Sequence, residues 1–303
     1  MSEPPLSPAV QARVLVPFAI VTLIWGSTWL VIRDQLGIVP PSWSVTYRFM
    51  ISAAAMFVYA AVTRAPLRLA LSDQLFALAL GLAQFALNFN LVYQAERYIA
   101  SGLVALIFAL LIVPNALLAW IFLRQGVSGR FLVGAAAALG GLALLFAHEI
   151  EAGSGGHVSM GIGLTLAGVF SASTANVMQA SVRARRLSMA TLLAWSMLWG
   201  ALIDGVWAWI TAGPPVFEAR LTYVAGLLYL GIIASAVAFT LYFNVIRVIG
   251  PGRAAYSSVL VPVIAMTLST IFEGYRWSWE AMVGGALTLL GLVISLMARS
   301  PSR

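Results

Sequence analysis

Residues 100–122 read ASGLVALIFALLIVPNALLAWIF, twenty-three positions without a charge. About 20 apolar residues in a helix cross a hydrocarbon core about 30 Å thick. Inside lipid each backbone amide must find its partner within the protein, which a helix provides for itself. The same pattern recurs on both sides of this stretch. Apolar runs of similar length, separated by charges, Gly or Pro, occupy 14–32, 43–63, 74–94, 130–147, 157–182, 188–211, 221–245, 253–272 and 279–297. The expectation is an all-α membrane protein of ten transmembrane helices. Only Glu96 and Arg97 mark the break between the third and fourth.

Composition agrees with this reading. Of 303 residues, 61% are hydrophobic and 9% charged, where a soluble domain carries about 25% charged residues. The net charge of +7 and a pI near 10.2 would suggest nucleic-acid binding in a soluble chain. Here the basic residues punctuate apolar runs, which points to membrane orientation instead. All 17 are Arg. Without Lys there is no P-loop, so no ATP-driven pumping by this chain and no implied ATPase partner. With no Cys, disulfides, Cys-bound zinc and thiol catalysis are excluded. His148 and His157 flank the loop Ala152-Gly153-Ser154-Gly155-Gly156 and read as solvated, so no metal or other cofactor is expected. A lipid-modifying enzyme would need a nucleophile with its base, or a carboxylate and His cluster. A channel would need a filter ring. Neither pattern is read here, and a secondary transporter or facilitator is the leading expectation, with a channel or a lipid-modifying enzyme as the alternative of another class. Met1 to Arg13 lacks the charged start and cleavage site of a secretory signal, and the first apolar run reads as a retained span.

Arginine placement sets the orientation. With the N-terminus cytoplasmic, the inner segments hold twelve arginines: Arg13, Arg64, Arg68, Arg124, Arg130, Arg183, Arg185, Arg186, Arg247, Arg253, Arg299 and Arg303. The outer segments hold four, Arg33, Arg97, Arg220 and Arg276, and Arg48 falls within the second span. That bias places both termini in the cytoplasm.

The two halves repeat each other. Tyr93 to Leu145 aligns with Tyr242 to Leu296. Val113-Pro114 matches Val261-Pro262, and each proline precedes a glycine, Gly126 or Gly274, by 12 residues. Gly134 and Gly141 are spaced as Gly284 and Gly291 are. The chain divides into a tail (1–13), a first five-helix repeat (14–147), a second (157–297) and a C-terminal tail (298–303). Five is odd, so the second repeat enters the membrane inverted, a plan that places transporter sites at the repeat interface.

Three motifs carry a resemblance. They are Trp25-Gly26-Ser27-Thr28, Tyr47-Arg48-Phe49, and the segment from Tyr93, Tyr98 and Ser101 through Pro114 to Gly141. As a set, over essentially the whole chain, they resemble the EamA family of the drug/metabolite transporter superfamily. Within it the resemblance is to exporters of aromatic amino acids, which implies that substrate class and the outward direction. One position departs. Where members carry Gly-Glu after the fourth span, this chain has Arg124-Gln125, and only Glu273 keeps the acid, so no role is carried to the first half. The Lys-free, Ala- and Arg-rich composition suggests a GC-rich bacterium and hence its inner membrane. A monomer is expected.

Polar residues in mid-span need partners or water. Gln84 and Asn88 lie at i,i+4 on one helix face, with Asn90 and Gln94 on another stripe. Ser171, Ser173, Asn176 and Gln179 occupy the sixth span, Trp25, Ser27, Thr28 and Trp29 the first, and Asn115 the fourth. Tyr242 and Asn244 end the eighth, and Tyr256, Ser257 and Ser258 open the ninth. The substrate-binding candidates are Trp25, Gln84, Asn88, Asn115, Asn176, Gln179 and Tyr242. The alternative is hydrogen bonding between packed helices. Such a lining suits a neutral molecule with one polar and one apolar end. No cation cluster exists to hold phosphates or nucleotide sugars. Arg48, near the start of its span, has the length to snorkel outward. Asp204 is the clearest buried acid, with three open roles: coupling proton, partner of a basic group, or reach to the outer interface. Pro114 and Pro262 read either as gates at equivalent positions or as static bends. The glycine pairs of the fifth and tenth spans read as close-packing surfaces, and Trp43, Trp277 and Trp279 as interfacial anchors.

Overall fold

The computed structural model describes the backbone of residues 8–152, 156–254 and 257–297, and the side chains of 16–146, 157–248, 254, 260–295 and 297. Residues 1–7, 153–155, 255–256 (Tyr256 among them) and the tail 298–303 lie outside it, as do the side chains of His148, Ser257 and Ser258. The described residues form helices joined by short connections, without a strand. The helices are α1 (Pro8–Asp34), α2 (Pro41–Val62), α3 (Leu71–Ala95), α4 (Ser101–Leu123), α5 (Gly129–Ala152) and α6 (Gly156–Ala180), then α7 (Met189–Ala212), α8 (Leu221–Val248, helical on to Ala254), α9 (Ser257–Phe272) and α10 (Trp279–Met297). A short helical turn, Val182–Arg186, precedes α7. Eight helices, α1 to α8, are long and apolar enough to cross a membrane, while the apolar parts of α9 and α10, Leu260–Phe272 and Trp279–Ser295, are shorter.

Local chemistry sets the ends. Pro41 opens α2 at the position where a missing N–H costs nothing. Gly213 stops α7 with φ +77°, a conformation that glycine adopts without penalty. At the end of α4 the left-handed residue is Arg124, with φ +56°, rather than the nearby Gly126.

Three helices depart from regular α geometry. In α3 the segment Leu82–Leu87 is π-helical, and so is Tyr229–Val237 in α8. In α4 a 3-10 turn, Ala109–Leu111, directly precedes the Pro114 turn. The proline ring crowds the carbonyl of Leu110, and the tightened turn absorbs that. Pro262 lies within α9, which stays helical around it. The widened turns offer carbonyls to neighbouring helices. Trp25 Nε1 donates to Ala234 O at 3.1 Å, Ser52 Oγ to Gly231 O at 2.8 Å, and Ser171 Oγ to Ala83 O at 2.7 Å. In the repeat expected from the sequence, α3 corresponds to α8 and α1 to α6, and the bond from α6 onto α3 then mirrors the bond from α1 onto α8.

The glycine stripes bring α5 and α10 together. A Cβ on Gly141 would lie 2.5 Å from Thr288 N, and one on Gly284 2.6 Å from Gly141 O. Thr288 Oγ1 also donates across to Ala138 O at 3.3 Å. At one end of the bundle Arg220 pairs with Asp34 at 3.0 Å, and Tyr47 OH donates to Val216 O. At the other end Arg183 pairs with Asp73 at 2.9 Å, and Thr191 Oγ1 donates to Pro66 O. Each ion pair joins one half of the chain to the other. Trp43 corrects an expectation. It is 6% exposed and donates Nε1 to Gly213 O at 3.2 Å, so it packs inside the protein. Trp277 and Trp279 are exposed.

Candidate functional site

Helices from both halves enclose a cavity with about 780 Å³ of space free of protein atoms, its open mouth included. From α1 come Trp25, Thr28, Trp29 and Ile32, the i, i+3, i+4, i+7 face of one helix. From α3 come Gln84, Asn88, Phe89 and Val92, and from α8 Phe239 and Tyr242. Phe108 of α4, Asn176 of α6, and Val261 and Pro262 of α9 complete most of the wall. The aromatic part falls into two groups of touching rings. Trp25 meets Tyr242 edge-on, with ring centres 4.8 Å apart, and Phe239 at 5.3 Å; Trp29 meets Phe108 at 5.4 Å. The bond from Trp25 to Ala234 O holds its indole plane against the first of these groups.

The amides supply polarity. Gln84 and Asn88 are each 3% exposed. Asn88 Nδ2 donates to Gln84 O at 3.3 Å, which fixes the amide's orientation and turns its oxygen away. Gln84 Oε1 and Asn88 Oδ1 are then buried without a partner. Buried polar atoms are nearly always paired, and an orphaned acceptor beside a cavity fits a ligand donor. Asn176 Nδ2 donates to Asn115 Oδ1 at 3.4 Å, and Ser173 Oγ to the same oxygen at 2.6 Å. Asn115 thus stands behind Asn176.

Six sequence candidates, Trp25, Gln84, Asn88, Asn176, Tyr242 and Pro262, line this cavity; Asn115, Gln179, Pro114 and Asp204 do not. Gln179 is fully buried with both amide atoms unpaired. Asp204 is 1% exposed; its Oδ1 accepts from Asn90 Nδ2 at 2.5 Å and its Oδ2 has no partner. No basic side chain pairs with it among the described residues, and its burial rules out a reach to the interface.

Arg48 overturns the snorkelling expectation. It is 1% exposed and lines the cavity. Nε donates to Ser235 Oγ at 3.0 Å, and Nη1 lies 3.5 Å from Tyr93 OH. Its guanidinium carbon stands 4.3 Å over the Phe89 ring and 5.4 Å from that of Phe49. Phe89, Phe108 and Phe239 also escaped the sequence reading, which weighed polar residues. The i,i+3 spacing of Phe239 to Tyr242 was the available signal.

A second, polar depression lies where α3 meets α4 and α9 ends. It is lined by Arg33, Arg97, Tyr98, Glu273 and Arg276, among others. Glu273 accepts from the backbone N and hydroxyl of Ser101 and from Ser269 Oγ. Beside it Glu96, in the turn after α3, is fully buried with neither carboxylate oxygen paired. Burial, and then the charge of Glu273, push the Glu96 carboxyl well above its ordinary range.

Comparison with known proteins places this geometry in context. Residues 14–147 and 159–297 each match the EamA-like transporter family model. Protein PagO of Salmonella typhimurium is 25% identical over 290 residues, covering 96% of this chain and 95% of that protein. A probable amino-acid metabolite efflux pump of Escherichia coli is 26% identical over 285 residues, covering 91% and 92%. A crystal structure superposes with a TM-score of 0.70 at 18% sequence identity, covering 94% of this chain and 97% of that one. At that identity the superposition speaks for the fold.

Proposed function

The chain belongs to the EamA-like transporter family and is a transporter rather than an enzyme; on that premise we propose that it exports a small, overall neutral amino-acid-like metabolite, aromatic or otherwise hydrophobic, across the bacterial inner membrane by alternating access. The observation that carries this reading is the cavity between the two halves, where aromatic faces meet unpaired amides. Such a lining matches a solute with one apolar and one polar end, and the Escherichia coli relative named as a metabolite efflux pump supports the same class. In this proposal α9 and α10 also span, giving ten spans in two inverted repeats. The end bearing Arg64, Arg68, Arg124, Arg130 and the Arg183–Arg186 turn is cytoplasmic. Asp204 is the proposed coupling acid: buried, half-paired, and free of a cationic partner among the described residues. Counterflow in proteoliposomes against a panel of amino acids, at two pH values, tests the reading. Saturable exchange of hydrophobic amino acids is expected; non-saturating flux, or none, would defeat it.

A further inference from the structure

We propose that Arg48 is the anchor for the carboxylate of the transported amino acid, with the unpaired oxygens of Gln84 and Asn88 receiving its ammonium group. This rests on the transporter reading above and gives the polar end of the cavity its chemistry. Arg48 cannot lose its charge by deprotonation as Lys can, and it is 1% exposed with no carboxylate paired to it among the described residues. A buried charge without a counter-ion is unfavourable. The Phe89 ring 4.3 Å away compensates only in part. Of the acids, Glu96 acts on Arg48 through space without touching it, and Tyr93 OH is at the edge of hydrogen-bonding distance at 3.5 Å. Nε is committed to Ser235, while Nη2 has no partner among the described residues. What the group lacks is a planar anion, and a guanidinium fork matches a carboxylate.

The opposite polarity stands on α3. Gln84 Oε1 and Asn88 Oδ1 are acceptors without donors, suited to the three N–H groups of an ammonium. Phe89, the residue after Asn88, lies beneath the Arg48 guanidinium, and Arg48, Gln84 and Asn88 all line the same cavity. The Trp25, Tyr242 and Phe239 set receives the side group. A zwitterion satisfies both polar poles and adds no net charge, whereas an amine leaves Arg48 unpaired and an acid without an amine leaves the amides unpaired.

The test uses purified full-length protein and three probes with one apolar group: phenylalanine, phenethylamine, which lacks the carboxylate, and 3-phenylpropionate, which lacks the ammonium. Wild type should favour phenylalanine over both in binding and counterflow. Arg48→Gln should cut the preference for phenylalanine over phenethylamine by about 100-fold, in the range for unpairing a buried charge. Asn88→Leu should cut the preference for phenylalanine over 3-phenylpropionate. If Arg48→Gln does not assemble, Arg48→Lys carries the test, with a loss of about 10-fold expected from replacing a two-point contact by a point charge. An unchanged phenylalanine-to-phenethylamine ratio in the Arg48 variants overturns the assignment. Wild-type exchange of an uncharged solute, with none of the zwitterion, overturns it too while sparing the transporter reading. Absence of any carrier-mediated exchange removes both.

Discussion

Among single residues, the buried acids make the sharpest expectations. The Glu96 carboxyl is held above its ordinary range, so folding favours its protonated form. Its stabilising contribution is therefore complete below the ordinary glutamate value of about 4.3 and is lost as pH rises through the raised value. Glu96→Gln removes that loss. The variant should melt higher than wild type at pH 8 and show a smaller gain at pH 5, measured by thermal unfolding in detergent. Asp204→Asn addresses the proposed coupling role. Uptake driven by a pH gradient should vanish while counterflow at equal pH persists; gradient-driven uptake at the wild-type rate would remove Asp204 from the mechanism. At this scale, the sequence exposed the amides, because a Gln or Asn in mid-membrane needs a reason. The depth of Arg48 was hidden. Its side chain is long enough to reach either water or the interior, and only the packing of Ser235, Tyr93 and Phe89 around it decides. Glu96 marked a helix boundary in the sequence, and its burial depends on helices far away in the chain.

The helices carry information of two kinds. Glycines spaced by seven report close approach, and α5 against α10 meets that expectation. Gly141→Ala and Gly284→Ala should each destabilise the protein by about 1–3 kcal/mol, because the new methyl meets backbone that cannot yield. Gly140→Ala and Gly285→Ala, one residue away and facing open space, should leave the melting temperature near wild type. Prolines were equally visible, but their settings differ. Pro262 lines the cavity inside an unbroken helix, while Pro114 stands outside the wall behind a tightened turn. Pro262→Ala should therefore slow counterflow more than Pro114→Ala; equal, wild-type rates in both would make them static bends. The π turns of α3 and α8 were not legible. Neither Leu82–Leu87 nor Tyr229–Val237 contains a proline, and the extra residue in each is stabilised by bonds from Trp25, Ser52 and Ser171 on other helices. Such turns occur frequently at functional sites; the one in α3 places Gln84 in the cavity wall, and the one in α8 ends just before the lining residue Phe239.

For the molecule as a whole, an all-helical chain with long apolar helices could be read from hydropathy, since lipid enforces helices. The meeting of the halves around a cavity could be anticipated only as a plan. The orientation can be measured directly, because a chain without cysteine accepts single reporter thiols with no background. A thiol at Leu69 should react only with cytoplasmic reagent and one at Ala219 only with external reagent; the reverse pattern would invert the topology. The two rims are tied alike, Arg220 to Asp34 at one and Arg183 to Asp73 at the other, each across the halves and each open to solvent. Exposed pairs of this kind hold only weakly, and dissolved ions weaken them further. In the alternating-access cycle proposed above, pairs matched at both ends predict that brine loosens the two ends together. Raising ionic strength should hasten turnover in both directions, and leave the ratio of inward to outward passage where it was.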